Sequence, residues 1–188
     1  MLLVASVLLA PSPQSLRGVE ARKRRAVAPA TKTTGIPQWE LLAALKDLNK
    51  TYSFFTVFAE RYYTAARYKL ITLDGPSTIL IPSNIGNQFM KKKWEAYTPQ
   101  QRLRIMKNLI IKGLFSKDRL LSTVPMWQFR TMNMGLKLVK MNKFALRQCY
   151  FKAPGGTSYG PLNQANMSRT KNIQVHGISL VPIPANVW

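Results

Sequence analysis

Two hydrophobic periods divide the chain, and their order restricts what it can fold into. From Ile36 onward, apolar residues recur at helical spacing. Trp39, Leu41, Leu42, Leu45 and Leu48 form one stripe, with Pro37 near its start. Phe54, Phe58, Tyr62 and Ala65 form a second between Tyr52 and Tyr68, which leaves Glu60, Arg61 and Arg67 to face water. A third helix is expected over Pro99–Lys112. There Thr98 and Gln101 make a capping box, Pro99 suits the first turn and Gly113 can end it. Its buried stripe is Leu103, Met106, Leu109 and Ile110. Thr78–Ile81 interrupts this pattern as a short strand between Asp74-Gly75-Pro76 and Pro82. Beyond it, Gly135–Met141 and Phe144–Phe151 are expected to pair across Asn142-Lys143, and Ile173–Val181 forms a strand closed by Pro182 and Pro184. Ala153–Pro161 reads as a surface loop. Helices first and strands later predict an α+β fold.

Composition narrows the chemistry. With 46% hydrophobic and 10% aromatic residues in 188, a mainly disordered chain is excluded. The single cysteine, Cys149, excludes an internal disulfide framework and a clustered cysteine zinc site. A lone histidine, His176, removes most metal and triad chemistry. There is no Gly-x-Ser-x-Gly, no P-loop and no Gly-x-Gly-x-x-Gly. The acids Glu40, Asp47, Glu60, Asp74, Glu95 and Asp118 show no paired-carboxylate pattern. No enzyme activity, cofactor or metal site is therefore expected. Lys and Arg total 28 against seven Asp and Glu, a net charge of +21. Such a field favours polyanions: nucleic acid, acidic polysaccharide or an anionic membrane surface.

The ends suggest targeting. Leu2–Ala10 is an apolar run too short to span a membrane but suited to a signal-peptide core, with Val19-Glu20-Ala21 at a plausible cleavage point. An organelle transit peptide is the alternative. Cutting after Ala21 removes Arg17 and Glu20 together, so the charge stays at +21. Residues 1–21 are read as the leader, 22–36 (opening with Arg22-Lys23-Arg24-Arg25) as a basic linker, 37–184 as the domain and 185–188 as a tail.

Two blocks carry a family resemblance. Ser77-Thr78-Ile79-Leu80-Ile81-Pro82-Ser83-Asn84, followed by Phe89, is similar to the first signature of fasciclin domains. Asn172-Ile173-Gln174-Val175-His176-Gly177-Ile178-Ser179-Leu180-Val181-Pro182 resembles the second, C-terminal one. The resemblance covers roughly Ile36 to Pro184. It implies a wedge-shaped β-sandwich with packed N-terminal helices and a non-enzymatic adhesion or matrix role outside the cell. Pro82 stops the first strand, Ser83 or Asn84 can cap the helix that follows, and Phe89 can fold back onto the core. His176 is expected to be a packed or hydrogen-bonded residue, because no second ligand accompanies it. Ile111-Lys112 stands where many family members carry a Tyr-His pair associated with integrin contact, so no such contact is expected. The end at Pro184–Trp188 suggests no lipid-anchor signal.

Candidate binding and modification residues follow. Lys91-Lys92-Lys93-Trp94 is the densest internal basic cluster, extended by Arg102 and Arg104. It can track sulfate, carboxylate or phosphate groups, with the aromatic stacking on sugar or base, or be a solvated helix end with Trp94 buried. A second basic group, Lys137, Lys140, Lys143, Arg147 and Lys152, falls in the expected hairpin. Asn49-Lys50-Thr51 and Asn166-Met167-Ser168 are glycosylation sequons. Asn166, in a polar loop, is the better acceptor, whereas Asn49 is equally a turn or cap residue. Cys149 is expected to be buried, and Met126, Met132, Met134 and Met141 to fill the core around Trp127 and Phe129. The expected function is a secreted adhesion or interaction module whose partner is acidic polysaccharide or another matrix or cell-surface component. The alternative is an organelle-targeted nucleic-acid-binding protein.

Overall fold

The first expected stripe becomes helix α1 (Gln38–Thr51), with Leu41, Leu45 and Leu48 buried. Trp39 is 68% exposed, because it lies about 200° around the helix from Leu41, on the opposite face. In this computed structural model the described residues are 35–51, 56–83, 93–122, 127–133, 137–141, 149–156 and 158–185. The leader, nearly all the linker, Asn84, Phe89, Lys91, Lys92, Lys143, Arg147 and the side chain of Asn49 lie outside them. Helix α2 (Thr56–Arg67) packs on α1 and buries Phe58, Tyr62 and Ala65. It ends in a paired-bond cap: Leu70 N–H donates to Ala65 O (2.8 Å) and Lys69 N–H to Ala66 O (2.9 Å), with Lys69 at φ 58°.

Strand β1 (Ser77–Pro82) is buried along its whole length. Helix α3 (Pro99–Asn108) starts on the capping box, with both Thr98–Gln101 bonds formed. The expected helix to Lys112 stops four residues early. Ile110 and Ile111 suit a strand, and Ile110–Lys112 becomes β2, antiparallel to β1. Gly113, at φ 109°, turns the chain after β2 instead of capping α3. Thr78 Oγ1 fixes that turn, donating to Gly113 O (2.7 Å) and accepting from Phe115 N–H (2.9 Å). A short helix α4 (Lys117–Ser122) follows, then strands β3 (Gln128–Arg130), β4 (Lys137–Met141), β5 (Tyr150–Lys152), β6 (Tyr159–Arg169) and β7 (Ile173–Ile178).

The fold is α+β, and the strands run in one order, β2-β1-β7-β6-β5-β4-β3. Among the described strands only β1 and β7 pair in parallel, from Ser77 opposite Ile173 to Pro82 opposite Ile178. Both are buried throughout, as strands covered on two faces are. The ends of the order meet: Ile111 bridges to Thr131, and Met132 N–H donates to Ile110 O (2.8 Å). The sheet is thus curled around an interior that holds Phe129, with Phe115 edge-on at 5.0 Å and Phe151 at 6.0 Å. β6 enables the curl, since its register slips against β7 between Leu162 and Gln164 and again before Ser168.

Two strand expectations need correction. The β4–β5 pair forms, but Met141 faces Tyr150, so 142–149 connect them and Asn142-Lys143 is not a two-residue turn. Tyr159–Pro161, read as loop, begins β6, and Asn166 lies in that strand. Its polar residues read as a loop because the register slips leave no period of two: Asn163, Asn166 and Arg169, three apart, are the exposed positions. Cys149 is buried, as expected, while Trp127 is 51% exposed.

Polar groups fix the layers. Tyr62 is fully buried with its hydroxyl 3.2 Å from Met106 O and 3.4 Å from Leu80 O, joining α2 to α3 and β1. Gln38 Nε2 donates to Ala66 O, tying α1 to α2. Glu40, 5% exposed, accepts from Thr170 Oγ1 (2.5 Å), Asn172 N–H (3.0 Å) and Asn172 Nδ2 (3.0 Å). Burial pushes this carboxyl up, but the hydrogen bonds outweigh it and hold it below the usual carboxylate value. Glu40 thereby clamps α1 to the β6–β7 turn.

Candidate functional site

The buried stripe of α2 places Arg61 at its edge, three residues beyond Phe58 and four before Ala65. Its guanidinium lies over the ring of Trp94, 5.1 Å from the centroid. Trp94 belongs to a helical turn at 93–96, is 2% exposed and tilts against Phe58 at 4.9 Å. Arg102 reaches the same ring from α3, 6.0 Å from its centroid. Its Nε donates to Trp94 O (2.9 Å) and one terminal nitrogen to Glu95 O (3.0 Å), so it caps the last carbonyls of that turn. Two cations thus flank one indole.

Between α2, the 93–96 turn and α3 lies a groove of about 390 Å³. Val57, Ala65, Leu70, Leu103 and Met106 supply its apolar lining; Glu60, Thr64 and the two arginines supply polar groups. Arg61 Nε and Trp94 Nε1 have no hydrogen-bond partner among the described residues. Burial, followed by the neighbouring Arg102 charge, lowers the pKa of the Arg61 guanidinium, with Glu95 and Glu60 acting in the opposite sense. A guanidinium in these surroundings attracts a hydrogen-bonding anion.

The expected basic cluster is divided by the fold. Arg102 enters the groove. Lys93 is exposed and lines a second cavity of about 220 Å³ with Tyr97, Ser158 and Val181. Arg104 points from α3 into solvent, two residues from Arg102 and so on another side of the helix. Burial of Trp94 closes its ring to a stacking sugar or base. The sequence leaves Arg61 to face water, whereas the structure half-buries it over Trp94, at the edge of the stripe marked by Phe58 and Ala65. Of the second basic group, Lys137 and Lys140 fall on β4, and Lys152 Nζ on β5 lies 5.1 Å from the Tyr159 ring centroid.

His176 is a structural lock. It is fully buried on β7; its Nδ1 accepts from Asn166 N–H (3.0 Å), so Nε2 carries the proton and donates to Phe115 O (2.6 Å). Burial lowers its pKa, against the raising effect of the Phe115 bond. Asn166 itself is exposed, at φ 55°, with its Oδ1 accepting from Lys117 N–H at 3.4 Å. Among the described residues no three His, Cys, Asp or Glu gather where they could hold a metal. Nor is any described helix long and apolar enough to cross a membrane.

No family model matches the chain, and no curated protein matches it. Among solved structures, the chain is similar to the FAS1 domain pair from the insect cell adhesion molecule fasciclin I. The identity is 20% and the TM-score 0.46, over 77% of this chain and 43% of that one. The chain therefore spans less than half the length of that solved chain.

Proposed function

We propose that the protein is a non-enzymatic, fasciclin-type interaction module, secreted to the cell surface or extracellular matrix, that holds acidic polysaccharide on its cationic surface. The observation that carries this is the charge: +21 in 188 residues, with Lys46, Arg67, Arg104, Lys112, Arg130 and Arg169 all exposed. A field of that sign concentrates polyanions without a shaped pocket. Support for the fasciclin-type wedge comes from the two signature blocks, which lie side by side as β1 and β7. The apolar run at Leu2–Ala10 supports secretion. An exposed Asn166 is open to a glycan, and Asn49 is the second acceptor proposed.

Competition decides between polymers. The protein is immobilised and challenged with polygalacturonate and with single-stranded RNA of equal charge at physiological salt. Preferential capture of the polysaccharide, together with a mature N-terminus at Arg22 and sugar on Asn166 in the secreted material, supports the proposal. Preferential capture of RNA by a protein retained in an organelle overturns it in favour of nucleic-acid binding.

A further inference from the structure

We propose that the groove between α2, the 93–96 turn and α3 binds a small amphiphilic carboxylate, with Arg61 as the anchoring residue. This goes beyond the polymer reading and does not depend on it.

Three features converge on that ligand. First, Arg61 is half-buried against Trp94, and its buried Nε lacks an acceptor among the described residues. The other donors of its planar fork suit the two oxygens of a carboxylate. Arg102, by contrast, already bonds the carbonyls of Trp94 and Glu95 and adds a second positive charge beside the first. Second, the local charge is limited. Glu60 lines the groove and Glu95 stands near Arg61; both carboxylates are exposed and offset only part of the positive charge of Arg61 and Arg102, so the site suits a monoanion over a phosphate dianion. Third, the remainder of the groove is apolar. Val57 is 40% and Leu70 50% exposed at its mouth, while Leu103 and Met106 form its wall. Exposed apolar side chains around a cavity of about 390 Å³ suit the hydrocarbon body of such a ligand, in the size range of small-molecule sites (roughly 300–1,000 Å³).

The test is calorimetric titration of the full chain with sodium decanoate, below its micellar concentration and at physiological salt. The neutral analogue decanol and the bodiless analogue acetate serve as comparisons. Saturable binding of decanoate, with decanol and acetate each at least about tenfold weaker, is expected from the loss of a charge-assisted pair or of the apolar burial. Arg61→Met, which keeps an aliphatic stem over Trp94, should weaken decanoate about tenfold, and Val57→Ser should weaken it a few-fold. Arg130→Met, which removes an equal charge from β3, should leave it unchanged. Equal binding of decanol and decanoate, no saturable binding, or an equal loss in Arg130→Met overturns the proposal. The decanoate–decanol comparison uses the unaltered chain, so it decides the matter even where a variant misfolds. Arg61→Met should leave polygalacturonate capture essentially intact, so failure here and failure of the polymer reading are separable.

Discussion

Asn108 is the residue whose burial the local chemistry least explains. It is fully buried at the end of α3, and neither its Oδ1 nor its Nδ2 has a partner among the described residues. A buried amide left unmatched costs about 1–3 kcal/mol. Asn108→Leu, close in volume, should therefore stabilise the fold by a free energy of that order, seen as a higher urea midpoint, and a lower midpoint would show that the amide is satisfied in solution. His176 gives a pH dependence whose sign is fixed. Its folded pKa lies below the ordinary 6.5, so the unfolded chain binds the proton first. Its contribution to stability is complete above pH 6.5 and is lost as pH falls towards the folded value. Glu40, held below 4.5, adds a second loss at lower pH. Denaturant titrations across this range, with an NMR titration of the single imidazole, check both. An imidazole midpoint above 6.5 would contradict the bond from Asn166 N–H to Nδ1. The burial of His176 was legible from its isolation among apolar β-rich neighbours, but its partners were not: Phe115 and Asn166 are 61 and 10 residues away in sequence.

At the scale of elements, features set by near neighbours in the chain are legible in the sequence, although β7 ends at Ile178 and not at Val181. α1, the start of α3 and the strands β1 and β7 follow from stripes, a capping box and proline stops that lie within a few residues of one another. The errors arose where tertiary pairing decided. Ile110 continues a helical stripe in sequence yet is claimed, with Ile111, by β1 as part of β2, and β6 is too polar and too irregular to show a period of two. Arg61 and the groove were hidden for the same reason, since Trp94 and Arg102 come from other elements. One element end is suboptimal: the left-handed cap position after α2 is Lys69, where glycine has no Cβ penalty. Lys69→Gly should stabilise the protein by about 1 kcal/mol, seen as a raised thermal midpoint. A drop would mean that the lysine side chain contributes more than the backbone strain costs.

At the scale of the molecule, the two blocks that suggested a family are separated by about 90 residues and meet as the sole parallel pair among the described strands. Around that buried pair, the curled sheet and helices α1 and α2 leave cationic side chains on several faces: Lys46 on α1, Arg104 on α3, Arg130 on β3 and Arg169 on β6. A charge distributed in this way holds a flexible polymer more readily than it builds a single shaped pocket, and exposed charges are screened by salt. The central claim, that net positive charge makes this protein a holder of acidic polymers, is tested most directly by its affinity for polygalacturonate as a function of sodium chloride. A steep, continuous fall in affinity with rising salt, reversed on dilution, is expected. Affinity that is absent at low salt, or unchanged as salt rises, would contradict it.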